Sequence, residues 1–152
     1  MESPRLSIKA VIIRDGHILA MKGHDPWGDY YLLPGGGQHH GESVPEALQR
    51  ECLEEIGTTV VIHDLRLVRE YIGRNHEFAS EDGGAHQVEL IFACSLPEGA
   101  RPAMGTTPDV NQTSVEWLPL ERIEQYRLYP QSLRSVLADM KASDRVYRGD
   151  VN

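Results

Sequence analysis

The chain contains few cysteines and no long apolar run, and each scarcity argues against a class of protein. Cys52 and Cys94 are its only cysteines, and both lie in apolar surroundings, which favours buried, reduced thiols over a disulfide. No segment approaches the run of about 18 apolar residues that crosses a bilayer, so we expect no membrane partner. The first residues lack a signal-peptide pattern, and we therefore expect a cytoplasmic protein.

Basic residues are also scarce relative to acidic ones. The chain has 15 Lys and Arg against 23 Asp and Glu, and a formal net charge of -8. Binding to duplex nucleic acid is driven by Lys and Arg side chains that release counterions from phosphates. The composition therefore argues against a broad surface for duplex nucleic acid. It remains compatible with a small phosphorylated ligand held through a bound metal ion.

Length and composition are those of one domain. The chain has 152 residues, of which 40% are hydrophobic, and it shows no internal repeat, low-complexity tract or interdomain linker. We therefore expect a single domain over residues 1–152.

A group of carboxylates stands where a helix would normally bury apolar side chains. Taking about 100° per residue and Val44 as zero, Glu51, Glu54 and Glu55 fall at about 340°, 280° and 20°, on the side of the apolar residues. Three like charges on one arc repel, and their position near the helix C-terminus opposes the helix dipole. A solvated helix face is the simplest explanation. A hard divalent cation such as Mg²⁺ or Mn²⁺ would remove the repulsion by binding the carboxylate oxygens.

The residues around the carboxylates favour the metal site. Ser43 and Glu46 form a capping box that begins the helix, and Gly57 provides its C-terminal stop. Just upstream, residues 32–37 read Leu-Leu-Pro-Gly-Gly-Gly, a strand end followed by a glycine-rich loop that lets the backbone approach a ligand closely. Strand, loop and acidic helix therefore form one unit.

Residues 36–58 closely resemble the Nudix box. The pattern is Gly, five residues, Glu, seven residues, Arg-Glu, an aliphatic residue, any residue, Glu-Glu, any residue, Gly and an aliphatic residue. The polar and glycine positions that match are Gly36, Glu42, Arg50, Glu51, Glu54, Glu55 and Gly57. Cys52 and Thr58 replace two aliphatic positions, and both are small enough to pack.

The resemblance implies hydrolysis of a nucleoside diphosphate linked to another group, in which a metal-activated water attacks one phosphorus. Glu54 and Glu55 would be metal ligands, Glu51 a ligand or the general base, and the carbonyl of Gly36 or Gly37 part of the shell. Such chemistry needs several carboxylates to hold Mg²⁺ or Mn²⁺, and ions to neutralise phosphate oxygens.

Arg50 lies on the neighbouring arc of the helix. Its guanidinium is within reach of Glu54 and of Glu42, so we expect it to orient carboxylates rather than to contact substrate.

Several residues outside the box are candidates for the site. In some relatives the general base is a Glu on a strand or loop, and the candidates here are Glu77, Glu81, Glu89 and Glu116. Glu89 stands between apolar residues, where the alternative is the solvent face of a strand. The candidate substrate contacts are Lys22, Arg69 and Arg74 for phosphate, Trp27 for base stacking, and His39 and His40 in the glycine loop. Solvation or core packing is the alternative for each, and the spacing of His76 and His86 matches no zinc pattern.

The sequence restricts the substrate less than the reaction. The downstream signatures of family subgroups are absent, but they are not universal in the family. ADP-ribose, a nucleotide sugar and a nucleoside triphosphate therefore all stay open. A non-catalytic nucleotide-sensing or partner-binding module is the alternative function, although such modules commonly lose the box carboxylates. An isomerase of the same fold would need a reactive cysteine, which neither cysteine resembles. A homodimer is expected by analogy alone.

The hydrophobic pattern alternates strands with helices. Asp15-Gly16 predicts a hairpin, and residues 73–86 read as a polar loop. A last amphipathic helix is predicted near 130–142, with Leu133, Val136, Leu137 and Met140 in the core. Besides the acidic helix, strands are predicted near 5–14, 17–22, 30–33, 58–72, 87–96 and 113–118. The pattern predicts an α/β sandwich around a mixed β-sheet, and the Nudix fold is such an α-β-α sandwich.

Overall fold

The computed structural model describes residues 2–152 and places their strands in one curled, mixed sheet. Its nine strands are β1 (Arg5–Arg14), β2 (His17–Asp25), β3 (Gly28–Leu32), β4 (Gly35–Gly37), β5 (Val61–Ile72), β6 (His86–Ser95), β7 (Gln112–Pro119), β8 (Leu128–Tyr129) and β9 (Tyr147–Asp150). The helices are α1 (Val44–Ile56), α2 (Ala79–Asp82) and α3 (Arg134–Ala138). No helix in the described part of the chain is long and apolar enough to cross a membrane.

The sheet divides at β1. The strand order is β8-β3-β2-β1-β6-β5-β9, with β4 paired to β1 and β7 to β2. β1 runs parallel to β6 over eight residue pairs, yet it pairs with β2 at two residue pairs only, Ile13 with Ile18 and Arg14 with His17. The rest of that edge of β1 pairs with the glycines of β4. The sheet therefore opens beside β4, next to the helix that carries the carboxylates.

Local turn and cap signals in the sequence are confirmed. Asp15 and Gly16 both have positive φ, 52° and 74°, as the predicted two-residue hairpin turn requires. Ser43 accepts a hydrogen bond from the Glu46 backbone, and the Glu46 carboxylate accepts one from the Ser43 N–H in return. Gly57 ends α1 in the left-handed conformation.

Two apolar clusters fill opposite faces of the sheet, which confirms the predicted α-β-α sandwich. Because side chains alternate along a strand, β1 serves both clusters: Ile8 and Ile12 face α1, whereas Val11 faces α3. Cys52 and Cys94 lie in the cluster under α1 as free, buried thiols, as expected. Burial raises the pKa of the Cys94 thiol to about 12, so it is not a nucleophile at neutral pH.

The predicted last helix is too long. A 3₁₀ turn over Gln131–Leu133 precedes α3, which ends at Ala138 because Asp139 leaves helical geometry, and no side chain caps the helix at its start. So short a helix depends on packing rather than on propensity. Its apolar residues still pack as predicted, with Leu133 and Leu137 buried and Val136 and Met140 against them.

Three strands and one helix were not predicted. β4, β8 and β9 have two to four residues each, and they exist because neighbouring strands offer free edges rather than because of an alternating pattern. The predicted polar loop at 73–86 contains a 3₁₀ turn over Gly73–Asn75 and the helix α2.

Candidate functional site

The glycines of β4 bring the backbone against the carboxylates of α1. A β-carbon on Gly36 would stand 2.6 Å from the carboxylate carbon of Glu51, so only glycine leaves room for that side chain. Gly35 has a φ of 131°, and a β-carbon there would collide with the Ile8 carbonyl at 2.0 Å. The glycine loop therefore forms one wall of the carboxylate cluster, as its sequence indicates.

Arg50 connects the carboxylates to one another. Its guanidinium donates to both oxygens of Glu42, from Nε at 2.7 Å and from Nη2 at 3.0 Å. Nη1 donates to Glu51 at 3.0 Å and reaches Glu54 at 3.5 Å, while Nη2 also donates to the Gly37 carbonyl at 2.9 Å. Arg50 thus holds three carboxylates and the glycine loop in one arrangement.

The pKa of Glu42 responds to these contacts. The hydrogen bonds from Arg50, together with one from the His39 backbone N–H, lower the pKa of the Glu42 carboxyl to about 2. Glu42 therefore stays ionised over the physiological range and acts as the fixed anchor of the Arg50 guanidinium.

Glu55 is the unusual member of the cluster. Only 1% of its surface is exposed, and neither carboxylate oxygen has a hydrogen-bond partner among residues 2–152. Burial raises the pKa of Glu55, the Lys9 ammonium lowers it in part, and the adjacent Glu51 carboxylate raises it further. A buried, unpartnered carboxylate beside a second carboxylate is unfavourable by itself and becomes favourable when a cation lies between them.

The donor set suits a hard divalent cation. Glu51, Glu54 and Glu55 offer carboxylate oxygens, the donors that Mg²⁺ and Mn²⁺ prefer. In the part of the chain that the structure describes, no three Asp, Glu, His or Cys side chains surround a common point by themselves. Backbone, water or substrate oxygens would have to complete the shell. Of the two carbonyls predicted to help, that of Gly37 already accepts from Arg50.

A cavity of about 520 Å³ opens next to the glycine loop, where Lys9 lines it and donates to the Gly35 carbonyl, although the carboxylates of the cluster are not among its lining residues. One end is aromatic: the Trp27 and Phe78 rings are 5.3 Å apart, the Phe78 and Tyr129 rings 6.2 Å apart, and Arg127 lies over Tyr30 at 5.4 Å. Trp27 is 62% exposed, which leaves a ring face free for stacking. The sequence prediction for Trp27 as a stacking residue stays a prediction, and its position at this cavity supports it.

The other end of the cavity is polar and includes Glu89. The alternative of a solvent-facing Glu89 is wrong, because the residue is only 4% exposed and pairs with the buried Arg69 at 3.1 Å. Arg69 also donates to the Val151 carbonyl at 2.6 Å. Arg69 was predicted to contact phosphate, but the structure already gives its guanidinium these partners.

Lys22 and His39 are not brought into this cavity. Lys22 forms ion pairs with Asp29 at 3.3 Å and with Glu116 at 3.6 Å, and it does not line the cavity. Its predicted role in substrate binding therefore has no support in the geometry. His39 is exposed, and only its backbone N–H enters the cluster, as a 2.7 Å donor to Glu42.

Sequence reasoning missed Lys9, Phe78 and Arg127. Lys9 lies in a buried strand, and its ammonium donates to the carbonyls of Leu33 at 3.3 Å and Gly35 at 3.1 Å. The position of Lys9 between Ile8 and Ala10 was a usable signal, because a cation in an otherwise buried strand is unfavourable unless polar groups bind it. Phe78 and Arg127 reach the cavity through contacts distant in sequence, and no local pattern marks them.

Comparisons with known proteins agree on one family. The family model described as NUDIX domain matches residues 3–140. Nucleoside triphosphatase NudI of Salmonella agona (strain SL483) is 31% identical in an alignment covering 59% of this chain and 67% of that protein. The ADP-ribose pyrophosphatase of Methanocaldococcus jannaschii is 28% identical, covering 63% of this chain and 53% of that protein, so this chain matches about half of its length.

Solved structures agree with the fold. A Nudix hydrolase from Nitrosomonas europaea aligns with a TM-score of 0.70 over 99% of this chain and 79% of that chain. At 16% identity this likeness concerns the fold alone.

Proposed function

The chain belongs to the Nudix family of hydrolases, and from this premise we propose that it hydrolyses the pyrophosphate linkage of a nucleoside diphosphate derivative with a divalent metal ion. The observation that carries the proposal is the pair of carboxylates formed by Glu51 and the buried, unpartnered Glu55. Such a pair destabilises a fold that is held by packing alone, whereas a cation-dependent phosphoanhydride hydrolase requires carboxylates of this kind to hold its metal ion.

Glu54, Glu55 and Glu51 would hold the metal, with the Gly36 backbone against them. A bound Mg²⁺ or Mn²⁺ supplies charge neutralisation for phosphate oxygens and lowers the pKa of water. Arg50 has the separate task of fixing the carboxylates, because its three nitrogens bind Glu42, Glu51, Glu54 and the glycine loop together. Removing such a supporting contact commonly costs about 10–100-fold in metal affinity or activity.

Substrate would lie between the carboxylates and the aromatic end of the cavity. Lys9 lines the cavity and also acts electrostatically on Glu55, so its ammonium can contact phosphate where the two regions meet. The exposed face of Trp27, backed by Phe78, is suited to stacking a base, which is worth about 1–3 kcal/mol per base in stacking sites.

The choice of general base narrows. Glu116 is paired with Lys22, Glu77 accepts from Asn152, and neither lines the cavity. Glu89 is held by Arg69. We propose Glu51, or Glu81 on α2 at the cavity, as the carboxylate that takes the proton from water.

The test is hydrolysis by the purified protein with Mg²⁺ or Mn²⁺ on a panel of ADP-ribose, nucleotide sugars, dinucleoside polyphosphates and nucleoside triphosphates, with products identified by mass. We expect turnover of at least one compound, and a loss of at least about 100-fold in kcat for Glu54→Gln. Glu121→Gln, at an exposed position, is the matched control and should keep wild-type activity.

Two results would contradict the proposal. One is full activity in folded Glu54→Gln and Glu55→Gln variants, which would remove both carboxylates from the reaction. The other is nucleotide binding without turnover of any compound, which would favour the non-catalytic module.

A further inference from the structure

The charges that line the cavity cancel almost completely. Arg69 is neutralised by Glu89 at 3.1 Å, and Arg127 forms an ion pair with Asp25. Burial alone would raise the pKa of Asp25, but the Arg127 hydrogen bond and the Trp27 N–H outweigh it and lower that pKa. Each guanidinium is therefore paired with a carboxylate, and neither is an unpaired charge for phosphate.

Apart from these two ion pairs, the cavity lining contains one cationic side chain and two carboxylates. Lys9 is the third cationic side chain of the lining, and its ammonium donates to the carbonyls of Leu33 and Gly35 beside the glycine loop. Glu81 and Asp82 on α2 also line the cavity, and Asp82 accepts the Tyr71 hydroxyl at 3.0 Å. The lining as a whole thus offers no surplus of positive charge beyond the metal site.

Nucleoside triphosphates and sugar-linked nucleoside diphosphates differ in the amount of negative charge that the site has to neutralise. The last phosphate of a nucleoside triphosphate is a monoester-like group with about -1.5 to -2 charge at pH 7. In a diphosphate esterified at both ends, each phosphate carries a single charge and the far group is neutral. With the same metal ions bound, the triphosphate would leave more negative charge beside Glu81 and Asp82.

The polar end of the cavity is equipped for neutral hydroxyl groups. Gln87 and Glu89 are two residues apart on β6, so they project from the same face, and Arg69 lies directly opposite Glu89 in the sheet. Gln87 has no side-chain hydrogen bond within the described residues 2–152. Its amide offers both donor and acceptor groups, as hydroxyls require.

Asn152 completes this end. Its Oδ1 accepts from Arg69 at 3.4 Å, and its Nδ2 donates to Glu77 at 3.0 Å. Arg69 thus fixes Glu89 and Asn152 on either side of its guanidinium, beside the free amide of Gln87. We define these four residues as the hydroxyl subsite.

We propose that the substrate is a nucleoside diphosphate linked to an uncharged sugar, and that Gln87 with Glu89 and Asn152 binds the hydroxyls of that sugar. This inference rests on the proposed function and narrows it to one substrate class. A site built to bond hydroxyls discriminates strongly against a ligand that lacks them, because its polar groups are then left unpaired.

The experiment compares kcat/KM for ADP-ribose, UDP-glucose and ATP with Mg²⁺ in the wild type, Gln87→Met and Gln87→Lys. We expect the wild type to prefer one of the sugar-linked compounds over ATP by at least about 10-fold. Gln87→Met removes the hydrogen bonds at similar volume, so kcat/KM for the sugar-linked compound should fall about 10-fold while that for ATP stays within about twofold. Gln87→Lys adds a cation and should raise kcat/KM for ATP. Gln125→Met, on the exposed surface, is the control.

Failure of this inference is distinguishable from failure of the proposed function. Equal or better hydrolysis of ATP by the wild type, or an equal loss for both substrate classes in Gln87→Met, overturns the sugar subsite and leaves the hydrolase intact. If no compound is hydrolysed, calorimetric binding decides: tighter binding of ADP-ribose or UDP-glucose than of ATP supports the subsite, and equal, weaker or absent binding overturns it.

Discussion

Arg50 binds both oxygens of Glu42 in a side-by-side pair, with Nε 2.7 Å from Oε2 and Nη2 3.0 Å from Oε1. This geometry uses the planar fork of the guanidinium, which lysine cannot reproduce. Glu42 precedes α1 and Arg50 lies within it, so the pair fixes the glycine loop to the helix. The third contact of Arg50, with Glu51, then extends the same fixed geometry to the carboxylates.

The Glu42–Arg50 pair should contribute to acid stability. The folded pKa of Glu42, about 2, is below its ordinary value of 4.5, so its contribution to stability is complete above 4.5 and is lost as the pH falls towards 2. We expect Glu42→Gln to have a lower Tm than the wild type above pH 5, and the difference to close as the pH falls through this window. Thermal unfolding at several pH values measures it, with Glu121→Gln as control. A Tm difference that does not change with pH would show that the carboxylate charge is not involved.

The sequence was most informative where the signal is local. The capping box at Ser43, the hairpin at Asp15 and the helix stop at Gly57 each depend on residues within one turn, and all three are confirmed. The acidic arc of α1 was equally readable, because helical periodicity alone places Glu55 towards the core.

The remainder depends on contacts that no local pattern encodes. In the sequence Glu89 resembles an ordinary strand residue, and only the pairing of β5 with β6 places Arg69 opposite it. Lys22 reads as a free cation until the β2–β3 and β2–β7 pairings place Asp29 and Glu116 beside it. The prediction for α3 is wrong in a different respect. The apolar spacing identified the core residues, but the helix is shorter than predicted because Asp139 leaves helical geometry.

Glu55 should destabilise the metal-free protein. Its folded pKa is raised, so its ionised form is disfavoured in the folded state; the cost is absent below the ordinary value of 4.5 and grows as the pH rises above it. We expect Glu55→Gln to raise the stability of the metal-free protein at neutral pH by about 1–3 kcal/mol. That corresponds to roughly 2–10 °C in Tm.

Bound metal should reduce or reverse the stability difference between the wild type and Glu55→Gln. Millimolar Mg²⁺ or Mn²⁺ should raise the Tm of the wild type, since a ligand that binds only the folded state stabilises it, and should have little effect on Glu55→Gln. Scanning calorimetry with and without each cation measures both parts without reference to turnover. If chelation leaves the wild-type Tm unchanged and the variant is less stable, Glu55 is a packing residue and not a ligand.

Asp150 should position the segment 73–82 that carries Phe78 to the cavity. Its carboxylate accepts from the Ile72 N–H at 2.9 Å and from Asn75 Nδ2 at 2.9 Å, and it lies 2.6 Å from His76 Nε2. Burial would raise the pKa of Asp150, but these contacts outweigh it and lower the pKa to about 2. The carboxylate is therefore ionised at neutral pH.

Asp150→Asn should loosen that segment without unfolding the sheet, because it replaces a charged acceptor of several hydrogen bonds by an amide. We expect amide hydrogen exchange of residues 73–82 to become about 10-fold faster, since a bond to a charged group contributes about 1.5–3 kcal/mol. The KM of the preferred substrate should rise, because Phe78 supports the Trp27 ring. With Glu51 as the general base kcat should change little, whereas with Glu81, which lies on the same segment, kcat should fall as well. Asp64→Asn, at an exposed carboxylate, should change neither quantity. Unchanged exchange in 73–82 together with unchanged KM would mean that Phe78 is positioned by its aromatic neighbours alone.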